Sequence, residues 1–254
     1  MIGHFLYGHG PERAIVLHGW FSDWQVFKPM LPALDESQFT LAFMDYRGYG
    51  RSRGLDGPFD VATIALDAVD LADSLGWESF NLIGHSMGGK AALRVAARGS
   101  VRARRIVAIT PVWAGKVPFD DQTLAMFRAA VGDVHLREAI ISQTAGGQEP
   151  AVWARNMAAH SMESSRPEAF GRYLESWAKD DFASDVRHLE IPTHVIIGAR
   201  DSSVTQAVVS STWGTHLADV SITVMAEAGH YPMLQAPLSL ASLLESFLIV
   251  PEAT

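Results

Sequence analysis

A chain of 254 residues, 48 % of them apolar and 19 % charged, suits one large α/β domain with an inserted subdomain, and it carries enough apolar side chains for a substantial core, which excludes disorder. A formal net charge of −8 argues against a nucleic-acid partner, which would call for a basic face. The absence of cysteine excludes disulfides, cysteine-ligated zinc and thiol catalysis, and it fits a cytoplasmic protein.

Met1 to Leu17 is interrupted by His4, Gly8, His9, Gly10 and Pro11, so no continuous hydrophobic signal core is present. Apolar runs nowhere approach about 18 residues, so no membrane-spanning helix is expected. Phe5–Tyr7 reads as a short strand, and Ala14–Leu17 as a second, running directly into His18-Gly19-Trp20-Phe21. Asp23 is a plausible helix start, since Val26, Phe27, Met30 and Leu31 follow at helical spacing. Leu41–Met44 is a buried-strand candidate that leads into the polar turn Asp45-Tyr46-Arg47-Gly48-Tyr49-Gly50-Arg51-Ser52. Val61, Ile64, Ala65, Ala68, Val69, Ala72 and Leu75 share one helical face, with Asp67, Asp70 and Asp73 off it and Gly76 as the stop. Phe80–Ile83 is the next strand, and Gly89–Arg98 the next helix, closed by Gly99. This alternation predicts a mostly parallel sheet covered by helices.

After the strand Ile106–Ile109, residues 112–184 lose the strand rhythm, and their apolar spacing predicts three or four amphipathic helices. Strands return at Thr193–Ile197 and Ile222–Met225, with a helix near Val204–Thr212 between them and a last helix from about Pro237. The expected organisation is a core built from 1–111 and 185–254, with 112–184 as a helical lid.

Gly84-His85-Ser86-Met87-Gly88 lies between a strand and a helix. A turn that tight strains the serine backbone, and glycine two residues either side avoids a Cβ clash. The serine hydroxyl is lifted above the sheet and set at the positive end of the following helix. A serine needs a base to take its proton and an acid to orient that base. Asp201 stands four residues past the Thr193–Ile197 strand and His230 five past Met225; strand C-termini in a parallel sheet share one edge, so both converge on Ser86. The order Ser…Asp…His suits that fold. Donors for a developing oxyanion are the N–H groups of Met87 and of Trp20, with Phe21 the second choice for the latter.

These pieces resemble an α/β-hydrolase-fold serine hydrolase of the small lidded type. The resemblance is carried by His18-Gly19-Trp20, Asp45–Ser52, Gly84–Gly89, Gly198-Ala199-Arg200-Asp201 and Gly229-His230, and it covers the chain except the lid. It implies Ser86 as nucleophile, Asp201 as acid, His230 as base, Trp20 with Met87 as oxyanion hole, and a lid after the sixth strand of the family's sheet. Ser202-Ser203 depart from the family's habit of proline or an apolar residue after the acid. Asp45 and Arg47 read as structural, with Arg47 tying loops together, and His85 as packing against or bonding to neighbouring loops. The other histidines, His188 among them, lack metal-ligand spacing, so neither a metal ion nor another cofactor is expected. Phe21, Trp113, Trp153, Trp177 and Tyr231 are the candidate pocket residues, with Trp113 best placed.

The expected activity is hydrolysis of small to medium, mainly apolar carboxylic esters through an acyl-enzyme. Lactonase, carbon–carbon hydrolase, perhydrolase and cofactor-free dioxygenase chemistry stay open on the same positions, whereas a serine at 86 disfavours epoxide hydrolases and haloalkane dehalogenases. The second functional class is a ligand receptor with a vestigial triad. The expected partner is a small-molecule ester, without nucleic acid or membrane, and oligomeric state has no signature here. Because the base must be neutral, kcat/KM should fall as pH drops through about 6.5, the ordinary imidazole range. A profile flat down to pH 4 removes His230 from that role.

Overall fold

The computed structural model describes residues 1–98, 102–187 and 189–249. Its strands are β1 (His4–Gly8), β2 (Glu12–Leu17), β3 (Phe39–Met44), β4 (Phe80–His85), β5 (Ala103–Ile109), β6 (Thr193–Gly198) and β7 (Val220–Met225). They form one seven-stranded sheet in the order β1-β3-β2-β4-β5-β6-β7. All neighbours are parallel except β1 and β3. The turn Gly8–Pro11 reverses the chain between β1 and β2, and β3 then lies between them. Every residue of β4 and β6 is buried, as expected of strands covered on both faces, whereas the edge strand β7 is largely half-buried or exposed.

The helices are α1 (Val61–Ser74), α2 (Met87–Ala97), α3 (Asp121–Ala129), α4 (Val134–Ala145), α5 (Ala151–Ser164), α6 (Pro167–Lys179), α7 (Ala183–Val186), α8 (Gln206–Ser211), α9 (Trp213–His216), α10 (Pro232–Gln235) and α11 (Pro237–Leu248). α1 packs on α2, and α11 on a 3₁₀ segment, Trp24–Ala33. That segment is where an α-helix start was expected. Asp23 does cap it, accepting the Gln25 N–H, but Pro29 and Pro32 supply no N–H for an α-helical ladder. Helices α3–α6, with the short α7 after them, occupy the chain between β5 and β6, where the apolar spacing placed helices and no strand. α7, α9 and α10 are four-residue pieces, too short for a periodicity to announce. The expected stop Gly99 and residues 250–254 of the expected core lie outside the described residues, as does His188.

Two polar side chains set the loops near the C-terminal edge of the sheet. Asp67, expected on the solvent side of α1, is buried, and the Arg47 guanidinium grips it with Nε at 2.8 Å and Nη2 at 2.9 Å. Arg47 therefore does tie the turn after β3 to α1. Asp45 is fully buried; its Oδ1 accepts the Trp24 N–H and its Oδ2 the Arg51 N–H, each at 2.8 Å. One carboxylate thus fixes both the chain that follows β2 and the turn that follows β3. Replacing Asp45 by Ala leaves the buried Trp24 N–H and the partly buried Arg51 N–H without their acceptor, the buried one at about 1–3 kcal/mol and the other at up to that much. A fall in stability of about 2–5 kcal/mol is expected, read as a lower urea midpoint at unchanged m-value.

Candidate active site

Ser86 lies between the end of β4 and the start of α2 with φ 54° and ψ −117°, a left-handed φ that a non-glycine residue adopts only under constraint. The glycines around it are needed for close backbone approach. A Cβ on Gly84 would strike the carbonyl of Gly88, and one on Gly88 the carbonyl of Leu17. A Cβ on Gly19 would lie 2.6 Å from His85 Nδ1 and 3.3 Å from the Ser86 Cβ. The loop leaving β2 is thereby pressed directly against the serine turn.

Asp201 and His230 reach the same point from the loops after β6 and β7. His230 Nε2 is 3.0 Å from Ser86 Oγ, and His230 Nδ1 is 2.6 Å from Asp201 Oδ2. The Asp201 carboxylate is fully shielded, and its Oδ1 accepts the N–H groups of Ser203 at 2.8 Å and Val204 at 3.0 Å. Burial pushes its pKa up, but His230 and those two N–H groups outweigh burial and hold it below the ordinary value. It is therefore an anion at neutral pH. An acceptor carboxylate at Nδ1 keeps that nitrogen protonated, which leaves Nε2 of the neutral ring free to accept the serine proton. The unusual Ser202-Ser203 disturbs nothing, because the groups used at 203 and 204 are backbone.

Two further side chains act on the histidine loop. His85, fully buried, donates Nε2–H to the His230 carbonyl at 2.8 Å, and the Thr110 hydroxyl donates to the same carbonyl at 3.0 Å. Thr110, just after β5, has φ 40°, strained for a β-branched residue. Nothing in the sequence pattern signals Thr110; a threonine before Pro111 reads as a plain strand end. The His230 N–H in turn donates to the Thr144 carbonyl of α4 at 3.1 Å.

The N–H groups of Trp20 and Met87 have no acceptor among the described residues. The Trp20 side chain points into aromatic packing: its indole Nε1–H donates to the Phe170 carbonyl at 2.8 Å, and its ring stacks on Phe170 at 4.0 Å and on Phe127 at 5.7 Å. A cavity of about 380 Å³ opens over Ser86 and His230. Of the five candidate pocket residues, Phe21, Trp113, Trp177 and Tyr231 line this cavity, together with Trp20. Trp153 does not line it. It packs edge-on behind Tyr231, ring centres 5.7 Å apart, so it backs the wall instead of forming it. Phe119, Phe127, Ile140, Val204 and Val208 add to the apolar lining, and Lys116 is its one lysine, arginine or carboxylate residue. Among the described residues no cluster of His, Asp or Glu could hold a metal ion, and no helix is long and apolar enough to cross a membrane.

The model of the alpha/beta hydrolase fold family matches residues 15–237. A soluble epoxide hydrolase from Corynebacterium sp. (strain C12) is 36 % identical over 89 residues, which are 35 % of this chain and 31 % of that protein, so the match spans about a third of that relative's length. A pimeloyl-[acyl-carrier protein] methyl ester esterase from Nitrosomonas europaea is 25 % identical over 244 residues, 91 % of this chain and 92 % of that one. Among solved structures, a bromoperoxidase from Bacillus anthracis has the same fold, with a TM-score of 0.85 at 21 % identity over 96 % of this chain and 94 % of that one.

Burial pushes the pKa of His18 down to about 4 and that of His85 to about 3, the latter helped by the neighbouring His230. Both rings stay neutral where an unfolded histidine takes up a proton. From pH 6.5 down to about 4 the unfolded chain binds protons that the folded chain refuses, so stability falls on acidification by about 1.4 kcal/mol per pH unit per ring. Urea midpoints measured at pH 7, 6 and 5 should drop accordingly, and nitrogen-15 NMR should find both rings unprotonated down to pH 5. A protonated His85 ring at pH 6 would contradict the assignment.

Proposed function

Because the chain belongs to the α/β-hydrolase fold family, we propose that it is a serine hydrolase cleaving carboxylic esters of small to medium, mainly apolar substrates. The reading rests on one observation: a continuous hydrogen-bond path from Asp201 through His230 to Ser86, opening into an apolar, aromatic cavity. In this reaction His230 Nε2 takes the Ser86 proton as Oγ adds to the ester carbonyl. Asp201 stabilises the imidazolium and holds the ring in place. The negative oxygen of the tetrahedral intermediate is met by the unengaged N–H groups of Trp20 and Met87. The imidazolium then protonates the departing alcohol, leaving an acyl-Ser86. Water, deprotonated by His230, releases the acid and restores the serine.

Residues 112–184 serve as a lid over a core of 1–111 and 185–254. The support is that Trp113, Phe119, Phe127, Ile140 and Trp177, all from that span, line the cavity above Ser86. A volume of about 380 Å³ sits near the small end of ligand pockets and favours short acyl or alcohol groups over long ones. The esterase among the relatives covers nearly the whole chain and agrees with this chemistry. The epoxide hydrolase is similar over a third of its own length, and that reaction would need a carboxylate where Ser86 stands.

The purified protein is expected to turn over p-nitrophenyl acetate and butyrate many times. Ser86→Ala should lose at least about 10³-fold in kcat, with the fold intact by circular dichroism. A fluorophosphonate should label one peptide, that of Ser86. Release limited to one equivalent would identify a receptor with vestigial chemistry. Turnover confined to lactones, dienone acids or peracid formation in a parallel panel would move the reaction to those classes on the same three residues.

A further inference from the structure

Lys90 is fully buried on the second turn of α2, four residues beyond Ser86. Its Nζ donates to three backbone carbonyls, those of Gly115 at 2.9 Å, Trp177 at 2.9 Å and Asp180 at 2.6 Å. No carboxylate pairs with it among the described residues. The acceptors belong to two stems of chain. Gly115 lies on the way out from β5 toward α3, and Trp177 and Asp180 lie at the end of α6 on the way back. A helix leaves its last carbonyls without intrahelical partners, and the ammonium takes one of these and the capping residue's as well. The stems are also bonded to each other, Val117 N–H to the Ala178 carbonyl at 2.9 Å and Phe182 N–H to the Ala114 carbonyl at 3.1 Å. Gly115, Val117, Phe119 and Trp177 on these stems line the cavity.

We propose that Lys90 is a positioning residue that fastens both stems of the helical segment to α2, the helix that follows Ser86, so that the cavity wall carried by those stems is a fixed surface that limits acyl length. The proposal rests on the reading of 112–184 as the roof of the site. Stability alone does not account for this lysine. Burial pushes its pKa down to about 8, with Asp180 and Asp181 offsetting only part of the effect. The folded chain therefore disfavours the charge it holds, and a methionine would fill similar space without that penalty. A methionine cannot hold three carbonyls from two separate stems. What the ammonium secures is the placement of chain, and only the wall it holds benefits. The ring of Phe182, its centre 5.7 Å from Nζ, closes the other side and carries the Arg94 guanidinium at 4.9 Å.

The test compares wild type with Lys90→Met and Lys90→Gln in two measurements. Hydrogen–deuterium exchange is followed in peptides covering 112–120 and 176–183, and kcat/KM is measured for p-nitrophenyl esters from acetate to decanoate. In the Met variant, exchange should rise about tenfold or more in both stems together, while peptides of β4 and α11 stay unchanged. The decanoate-to-acetate ratio of kcat/KM should rise about tenfold, with acetate hydrolysis falling far less. The Gln variant, which keeps an amide donor, should lie between. Unchanged exchange in the stems, or a proportional loss of turnover at every chain length, overturns the proposal. If the Met variant does not fold, the Gln variant decides by the same criteria. If wild type hydrolyses no ester, the ester reading fails and the exchange measurement still decides the role of Lys90.

Discussion

A carboxylate wholly removed from solvent must have its charge answered by fixed donors, and Asp201 meets that condition with two backbone N–H groups and the imidazole of His230. That arrangement is the constraint on which the site depends. It holds the ring in one tautomer, and the tautomer decides which nitrogen faces Ser86. Because two of the three donors are main chain, the loop after β6 has to keep its shape, while holding the carboxylate makes no demand on the side chains of Ser203 and Val204.

The second constraint is one of distance between backbones. Leu17, Gly19, Gly84 and Gly88 bring the end of β2 and the turn after β4 closer than any side chain would permit. Both strained residues are bonded to a neighbouring strand, the Ser86 N–H to the Ile109 carbonyl at 3.0 Å and the Thr110 N–H to the Ile196 carbonyl at 2.7 Å. Two neighbouring strand ends thus carry left-handed non-glycine residues, and both bear on the same histidine: Ser86 through its hydroxyl, Thr110 through the carbonyl of residue 230. Strain of this kind persists only where the surrounding packing over-determines it.

Much of this was legible in the chain. The strands follow from apolar runs that a parallel sheet requires, and the meeting of Ser86, Asp201 and His230 follows from the rule that such strands end on one edge. Other elements were not legible, for identifiable reasons. Asp67 reads as a solvent-facing residue of an amphipathic helix until Arg47, twenty positions earlier, is found against it. The 3₁₀ segment at Trp24–Ala33 shows apolar spacing compatible with an α-helix, and only its two prolines speak for the tighter turn. Trp153 resembles a pocket residue by composition, but its depth behind Tyr231 depends on how α5 packs, which no local pattern encodes. Lys90 carries no signal of its own within an alanine-rich helix, because its burial depends on carbonyls 25 to 90 residues away.

Trp20 has a double attachment. Its main chain stands beside the serine turn, while its indole is bonded to the carbonyl of Phe170 and stacked within the aromatic rings of the helical segment. The helical segment and the polar end of the site therefore share one residue and do not vary independently. A chimera that replaced α3–α6 with the corresponding helices of another family member would import a foreign neighbour for this indole. Such a graft would alter the surroundings of Ser86 as well as the helices themselves, unless its donor also supplied an acceptor where Phe170 now offers one.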